Sequence, residues 1–351
     1  MPAIALCGSG PTVGLRAVRY ARLADVTVPA VVAPEKPVVP TAGDIALDTG
    51  VPDGARTTPE PAGEPLANAE RYDDLAAALA AHDVAAVDVS IPAASGPITT
   101  AADAGLPVLA PPPLATSPSA LADLADRVAT SGAWLQNGSL HRESRFYERL
   151  RKKVTNGAVG QVGVVRFART IPGPRWGWNA WYVAPGDALV AAAHDLDVLR
   201  WTCGDIERVF ARRGESDAYA HLHLLVQFRD GARGQVDVTV DADAARDRSA
   251  GRDTAGPDPR LTAEVSGDRG RIRLTDDDVA PVWRASDPGA SDPDVPADDC
   301  YARLCRSFAA HCRTGERPES GFEGAAATTR TVLAARRSLE EGRPVVPEVI
   351  E

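Results

Sequence analysis

The sequence predicts two domains of different grammar. The first is an α/β domain on a doubly wound parallel sheet. The second is an α+β domain with a large, mostly antiparallel sheet flanked by helices. Three observations predict this. Up to about Gln136, short apolar strands alternate with helices, the pattern of β-α-β units. Beyond it, strand-like runs follow one another with hairpin spacing. The length of 351 residues is enough for two cores. The expected boundary therefore divides 1–136 from 137–351, with the closing helix free to pack back on the first domain.

In the first domain, Ala3–Cys7 reads as a strand, followed by a glycine-rich turn and a helix from about Val13 to Leu23. Val26–Val32 is the second strand. Residues 33–68, rich in Pro, Ala, Gly and Asp without periodicity, read as a surface insertion. Tyr72-Asp73-Asp74 opens a helix with Asp73 as its cap. Val84–Ile91, Leu106–Leu109 and Ala133–Gln136 are further strands. Ile98–Ala104 and Ser117–Ser131 are the helices between them, the latter capped by Ser117 or Ser119.

In the second domain, a helix over Glu143–Thr155 stops at Asn156-Gly157. A helical run spans Ala188–Cys203. The strands are Gly163–Arg169, Ile206–Arg213, Ala220–Arg229, Gly234–Asp241, Leu261–Ser266 and Arg271–Thr275. Helices over Asp298–Thr314 and Glu323–Glu341 close the chain, and no internal repeat is present.

Bulk properties exclude several function classes. The formal charge of −10 disfavours nucleic acid and anionic membrane surfaces as partners. No apolar run approaches the roughly 20 residues of a membrane helix. The first residues lack the basic segment of a signal peptide, so the expected location is the cytoplasm. Five cysteines without a CxxC spacing read as reduced, buried thiols.

Four motifs carry candidate chemistry. Gly8-Ser9-Gly10-Pro11-Thr12-Val13-Gly14 follows a strand and opens a helix. Glycines there let the backbone approach a pyrophosphate at the helix N-terminus. The third glycine falls one position late and Pro11 has no N–H, so a purely structural turn stays open as the other reading. After the second strand, Glu35 stands where a ribose-binding acid would sit, and Lys36 could meet a 2′-phosphate. Both could equally be solvated loop charges. His194 and Asp197, three apart on a helix, are neighbours on one face. They form either a general base with its orienting carboxylate or a structural hydrogen bond. Trp176, Trp178 and Tyr182 crowd into one short segment, suited to stacking on a sugar or to anchoring a loop. His221 and His223 share one face of a strand, but no third ligand is apparent nearby. That face reads as polar, and no metal site is expected.

Taken together, these residues resemble the glucose–fructose oxidoreductase / inositol dehydrogenase (Gfo/Idh/MocA-type) family. The resemblance includes the Gly8–Gly14 turn, Ala86-Val87-Asp88-Val89-Ser90-Ile91-Pro92, Asn156-Gly157-Ala158-Val159-Gly160 and His194-Asp195-Leu196-Asp197-Val198-Leu199-Arg200-Trp201. It implies a Rossmann-like nucleotide-binding domain holding NAD or NADP, with Gly8, Ser9, Gly10, Thr12, Glu35, Ile91 and Pro92 around the cofactor. It also implies a substrate domain for a sugar or polyol, and a homo-oligomer, dimer or tetramer, formed through the open sheet face. Hydride transfer in the family is assisted by a lysine of a Glu-Lys-Pro segment and by an Asp and a His on one helix. Here Pro112 stands at the lysine position and Val190 at that Asp, while His194 and Asp197 are kept. The sequence thus implies either an oxidoreductase with atypical proton transfer, or a non-catalytic nucleotide- or sugar-binding relative or structural subunit.

Overall fold

A computed structural model describes residues 1–8, 10–33, 68–172, 188–215, 219–241, 261–275 and 300–348. The chain divides into two compact units. One comprises Met1–Glu143 with Val282–Ala326, the other Ser144–Pro281 with Ala327–Glu351.

Among the described residues, the first unit holds six parallel strands: β1 (Ile4–Cys7), β2 (Ala30–Val32), β3 (Glu70–Tyr72), β4 (Ala86–Val89), β5 (Val108–Ala110) and β6 (Leu135–Asn137). Their order is β3-β2-β1-β4-β5-β6. Both faces of this sheet are covered, so β1, β2, β4, β5 and β6 are buried along their whole length. The helices are α1 (Gly10–Ala21), α2 (Leu75–Ala81), α3 (Ser95–Asp103), α4 (Pro118–Ser131) and, later in the chain, α7 (Cys300–Thr314).

Two expectations need correction. The cap of α2 is Asp74, not Asp73: its carboxylate accepts the Ala77 N–H at 2.8 Å. Strand β3 escapes a reading by pattern because Glu70-Arg71-Tyr72 is short and largely exposed, without apolar alternation. Ser117, one of the two expected caps, does hold α4. Of the expected insertion over 33–68, residues 34–67 lie outside the described part of the chain.

Among the described strands of this sheet, one charged residue is buried. Asp88 of β4 is fully buried. Arg16 of α1 pairs with its carboxylate, and Tyr20, one helical turn on, donates to it at 2.9 Å. A buried carboxylate is tolerated only with such fixed partners. Burial pushes the Asp88 carboxyl above the ordinary range despite Arg16.

The second unit holds β7 (Val162–Pro172), β8 (Ile206–Glu215), β9 (Tyr219–Phe228), β10 (Arg233–Asp241), β11 (Leu261–Gly267) and β12 (Arg271–Thr275). They form one sheet in the order β12-β11-β7-β10-β9-β8. Only β7 and β10 pair in parallel; the other neighbours are antiparallel. Alternation sorts the faces: Leu222, Leu224, Val226, Val236, Val238, Val165 and Phe167 turn inward. Helix α5 (Arg145–Thr155) and helix α6 (Ala188–Cys203) pack on that side, and α8 (Phe322–Glu341) is the last helix among the described residues. α6 has buried residues on every side, so it shows no single apolar stripe.

Candidate functional site

In the first unit, the strand order reverses between β1 and β4. In open parallel sheets, this switch point at the carboxyl ends of the strands is where ligands bind. Gly8 closes β1 with φ +153° and donates to the Val32 carbonyl at 3.0 Å. A Cβ at Gly8 would collide with the Ser90 hydroxyl at the end of β4, so only glycine lets the two strand ends meet. Ser90 in turn donates to the Cys7 carbonyl from both its N–H, at 2.8 Å, and its hydroxyl, at 3.2 Å. Gly10 opens α1, and Thr12 is buried in its first turn. Ile91 and Pro92 follow Ser90 and are half-buried.

The next residue, Ala93, carries no signal in the sequence. It is the only non-glycine with positive φ, +59°, among the described residues. That conformation costs about 1–2 kcal/mol for a residue with a Cβ. Its N–H donates to the Pro113 carbonyl at 2.5 Å, which fastens the loop after β4 to the loop after β5. Pro111, Pro112 and Pro113 are all buried, and the Pro112–Pro113 peptide is cis. Gly138 then donates to Ala110 at 2.7 Å, fastening β6 to β5. The carboxyl ends of β4, β5 and β6 thus form one connected rim.

In the second unit, α6 carries His194, Asp195 and Asp197, all buried. Asp197 accepts from the Thr328 hydroxyl of α8 at 3.0 Å, and Thr328 accepts from Arg200 at 3.2 Å. Asp195 accepts from Arg169 of β7 through Nη2, at 2.6 Å, and Nε, at 3.1 Å. Arg169 also donates to the Ala191 carbonyl at 2.8 Å. Burial pushes the Asp195 carboxyl up from its usual range, against the pull of Arg169. Val190 is half-buried and Ala192 buried on the same helix. The Arg169–Asp195 and Thr328–Asp197 pairs leave no trace in the sequence pattern, because they join residues 26 and 131 apart.

A third group lies on the sheet face turned away from α6. His221 and His223 have no third partner in their own stretch of sequence; β10 supplies one. Asp237 stands opposite His223, and Thr239 opposite His221. His221, His223 and Asp237 form a cluster whose ligand atoms lie within 4.8 Å of one another. Of the remaining expected site residues, Ser9, Glu35, Trp176, Trp178 and Tyr182 lie outside the described residues.

Fold and strand ends define the class: a doubly wound, Rossmann-like unit in one chain with a mixed-sheet α+β unit. Residues 147–273 match the family model for the GFO/IDH/MocA C-terminal domain. A myo-inositol 2-dehydrogenase of Thermotoga maritima is 26% identical over 234 residues, 62% of this chain. The match spans 65% of that relative, just under two thirds of its length. The crystal structure of a probable dehydrogenase from Thermotoga maritima superimposes with TM-score 0.71 at 20% identity, over 99% of this chain and 100% of that one. So does a scyllo-inositol dehydrogenase from Lactobacillus casei with bound NAD(H) and scyllo-inositol, with TM-score 0.71 at 17% identity over 99% of each chain. Residues 147–273 thus match the Gfo/Idh/MocA C-terminal domain, and the chain as a whole is similar to proteins of that family. Among the described residues, no helix is long and apolar enough to cross a membrane.

Proposed function

We propose that this protein is an NAD(P)-dependent oxidoreductase acting on a CH–OH group of a sugar or polyol, with His194 as its proton-transfer group. The observation that carries the reading is the switch point between β1 and β4, closed by Gly8 against Ser90 and followed by the N-terminus of α1. The residues there fit a dinucleotide. The first turn of α1 holds no acid that would repel a pyrophosphate. Gly8, Gly10, Thr12, Ile91 and Pro92 would line the cofactor, with Ser9 and Glu35 from the adjoining segments. The nicotinamide, when bound, supplies a hydride acceptor.

The chain's own residues must then take the hydroxyl proton. Neither Pro112 nor Val190, at the positions where the resemblance expects Lys and Asp, can hold one. A neutral His194 imidazole can. Asp197, held by Thr328, fixes the turn of α6 below it. Trp176, Trp178 and Tyr182 would offer faces to the substrate. The same reading makes the protein a cytoplasmic homo-oligomer, a dimer or tetramer.

Calorimetric titration with NADH and NADPH tests the cofactor. Micromolar binding of either is expected, and no binding at millimolar concentration would overturn the reading. With the preferred cofactor and a panel of polyols, His194→Ala is expected to lower turnover on the order of 100- to 10,000-fold. Unchanged turnover would remove His194 from the mechanism. A second reading, a non-catalytic binder or structural subunit, is favoured by Pro112 and Val190 together with Gly96, which stands after Ile91-Pro92 where the resemblance expects a histidine. The double change Pro112→Lys, Val190→Asp separates the two. Under the first reading it damages turnover, because it disturbs a working substitute; under the second it creates turnover where none existed.

A further inference from the structure

We propose that the sheet face turned away from α6 carries a binding site for a divalent cation of the zinc class. Its protein ligands are His221 Nε2, His223 Nδ1 and Asp237 Oδ1. Two histidines two positions apart on a strand project to the same side. The antiparallel register with β10 then places Asp237 directly across from His223.

The distances already approach a coordination shell. Asp237 Oδ1 lies 2.6 Å from His223 Nδ1 and 3.6 Å from His221 Nε2. A tetrahedral ion with ligands at roughly 2.0–2.2 Å holds them about 3.3–3.5 Å apart. All three ligand atoms already lie within 4.8 Å of one another, so side-chain adjustment can close them on an ion.

Outer partners orient the ligands. Thr239 Oγ1 lies 2.9 Å from His221 Nδ1, so with Thr239 accepting that proton, Nε2 keeps its lone pair for the ion. Gln235 Nε2 donates to Asp237 Oδ2 at 2.7 Å, which leaves Oδ1 directed at the histidines. A purely decorative polar face has no reason to fix both the imidazole and the carboxylate in this way.

Charge and access agree with a cation. Ala168 and Thr170, opposite Asp237 and Thr239 on β7, are uncharged. Arg212, opposite His223 on β8, donates to the Gly342 carbonyl at 3.0 Å, and its guanidinium lies over the Phe210 ring. The side chains of His221, His223 and Asp237 are 39%, 31% and 24% exposed in the single chain, so the ion's remaining position points outward, to water or to a second copy of the chain on this face. Two imidazoles and one carboxylate suit zinc, and the cobalt that reports on it, rather than magnesium or calcium, which prefer all-oxygen shells.

The test uses the full chain after chelation, titrated with Zn²⁺ by calorimetry and with Co²⁺ by visible absorption. One equivalent is expected to bind, with a low-coordinate Co²⁺ spectrum that millimolar Mg²⁺ does not erase. His221→Gln with His223→Gln removes that equivalent, and Asp237→Asn removes or greatly weakens it. Thr239→Val weakens it roughly 10- to 100-fold, as loss of an outer partner does. Circular dichroism on each variant checks that the sheet is intact. The proposal is overturned if the native chain binds no ion at 100-fold excess over protein, or if the double histidine variant, still folded, keeps the same stoichiometry and spectrum.

Discussion

Two clusters in the second unit use the same residue types at different depths. On α6, His194, Asp195 and Asp197 are buried, and the carboxylates are engaged by groups fixed elsewhere in the fold, Arg169 and Thr328. On β9 and β10, His221, His223 and Asp237 are half-buried, and the carboxylate is engaged by the histidines themselves. A carboxylate sealed from water must meet a permanent donor or lose several kcal/mol, so its partner becomes part of the fold. A carboxylate that water can reach can trade partners at little expense, which is what a ligand site needs. Depth, rather than residue type, separates the two.

Removing the deep carboxylate should have the largest effect. Asp195→Ala leaves the Arg169 guanidinium buried without this ion-pair partner. Breaking a buried pair from one side costs about 3–5 kcal/mol. Urea unfolding should therefore show a midpoint far below that of the native chain. A loss under about 1 kcal/mol would mean that the pair is screened and the distinction by depth fails.

Depth also governs titration, and the cysteines show it. Burial pushes the Cys7 thiol up to about 12, with the Asp88 charge adding to the shift. The ordinary thiol value is 9.0. Above that pH the unfolded chain releases the proton while the folded chain retains it. Stability from this group is thus complete below pH 9 and falls as pH rises toward 12, by roughly 1.4 kcal/mol per unit within the window. Cys7→Ala should make the alkaline limb of the stability–pH curve less steep, the share of Cys203 and Cys312, also pushed up to about 12, remaining. An unchanged slope would show that Cys7 is not sealed as its position beside β4 indicates.

The same contrast explains what a sequence can and cannot disclose. Both sheets are legible, because apolar alternation and turn residues are local signals. Helix α6 falls where the residue pattern places it, Ala188–Cys203. Strand β3 is not legible, since Glu70-Arg71-Tyr72 sits at an edge where alternation has no core to serve. At the switch point, glycine at position 8 is legible as a turn, but its collision partner Ser90 comes from a distant strand. The charge at Asp88 stands visibly inside an apolar strand, a signal that a buried partner must exist. Nothing local says that the partner is Arg16. His221-Leu222-His223 is visible as a pair, whereas Asp237 joins it only through the register of β9 on β10. Register depends on which faces are buried across the whole sheet, so a third ligand arriving across strands stays hidden until the sheet is built.

The smallest effect should come from the shallow counterpart, Asp237→Ala. This change removes the same carboxylate as Asp195→Ala and ends the contact to His223 and the bond from Gln235. But the groups left behind can be hydrated, because His223 is 31% exposed. A partly exposed contact of this kind is worth about 0–1 kcal/mol. Urea unfolding of the metal-free variant should place its midpoint close to that of the native chain, well above Asp195→Ala. Were the two aspartate variants equally destabilised, Asp237 would be a fold-holding residue like Asp195. Its carboxylate would then be bound to the fold as tightly as those on α6, and a cation could recruit it only at the expense of the sheet.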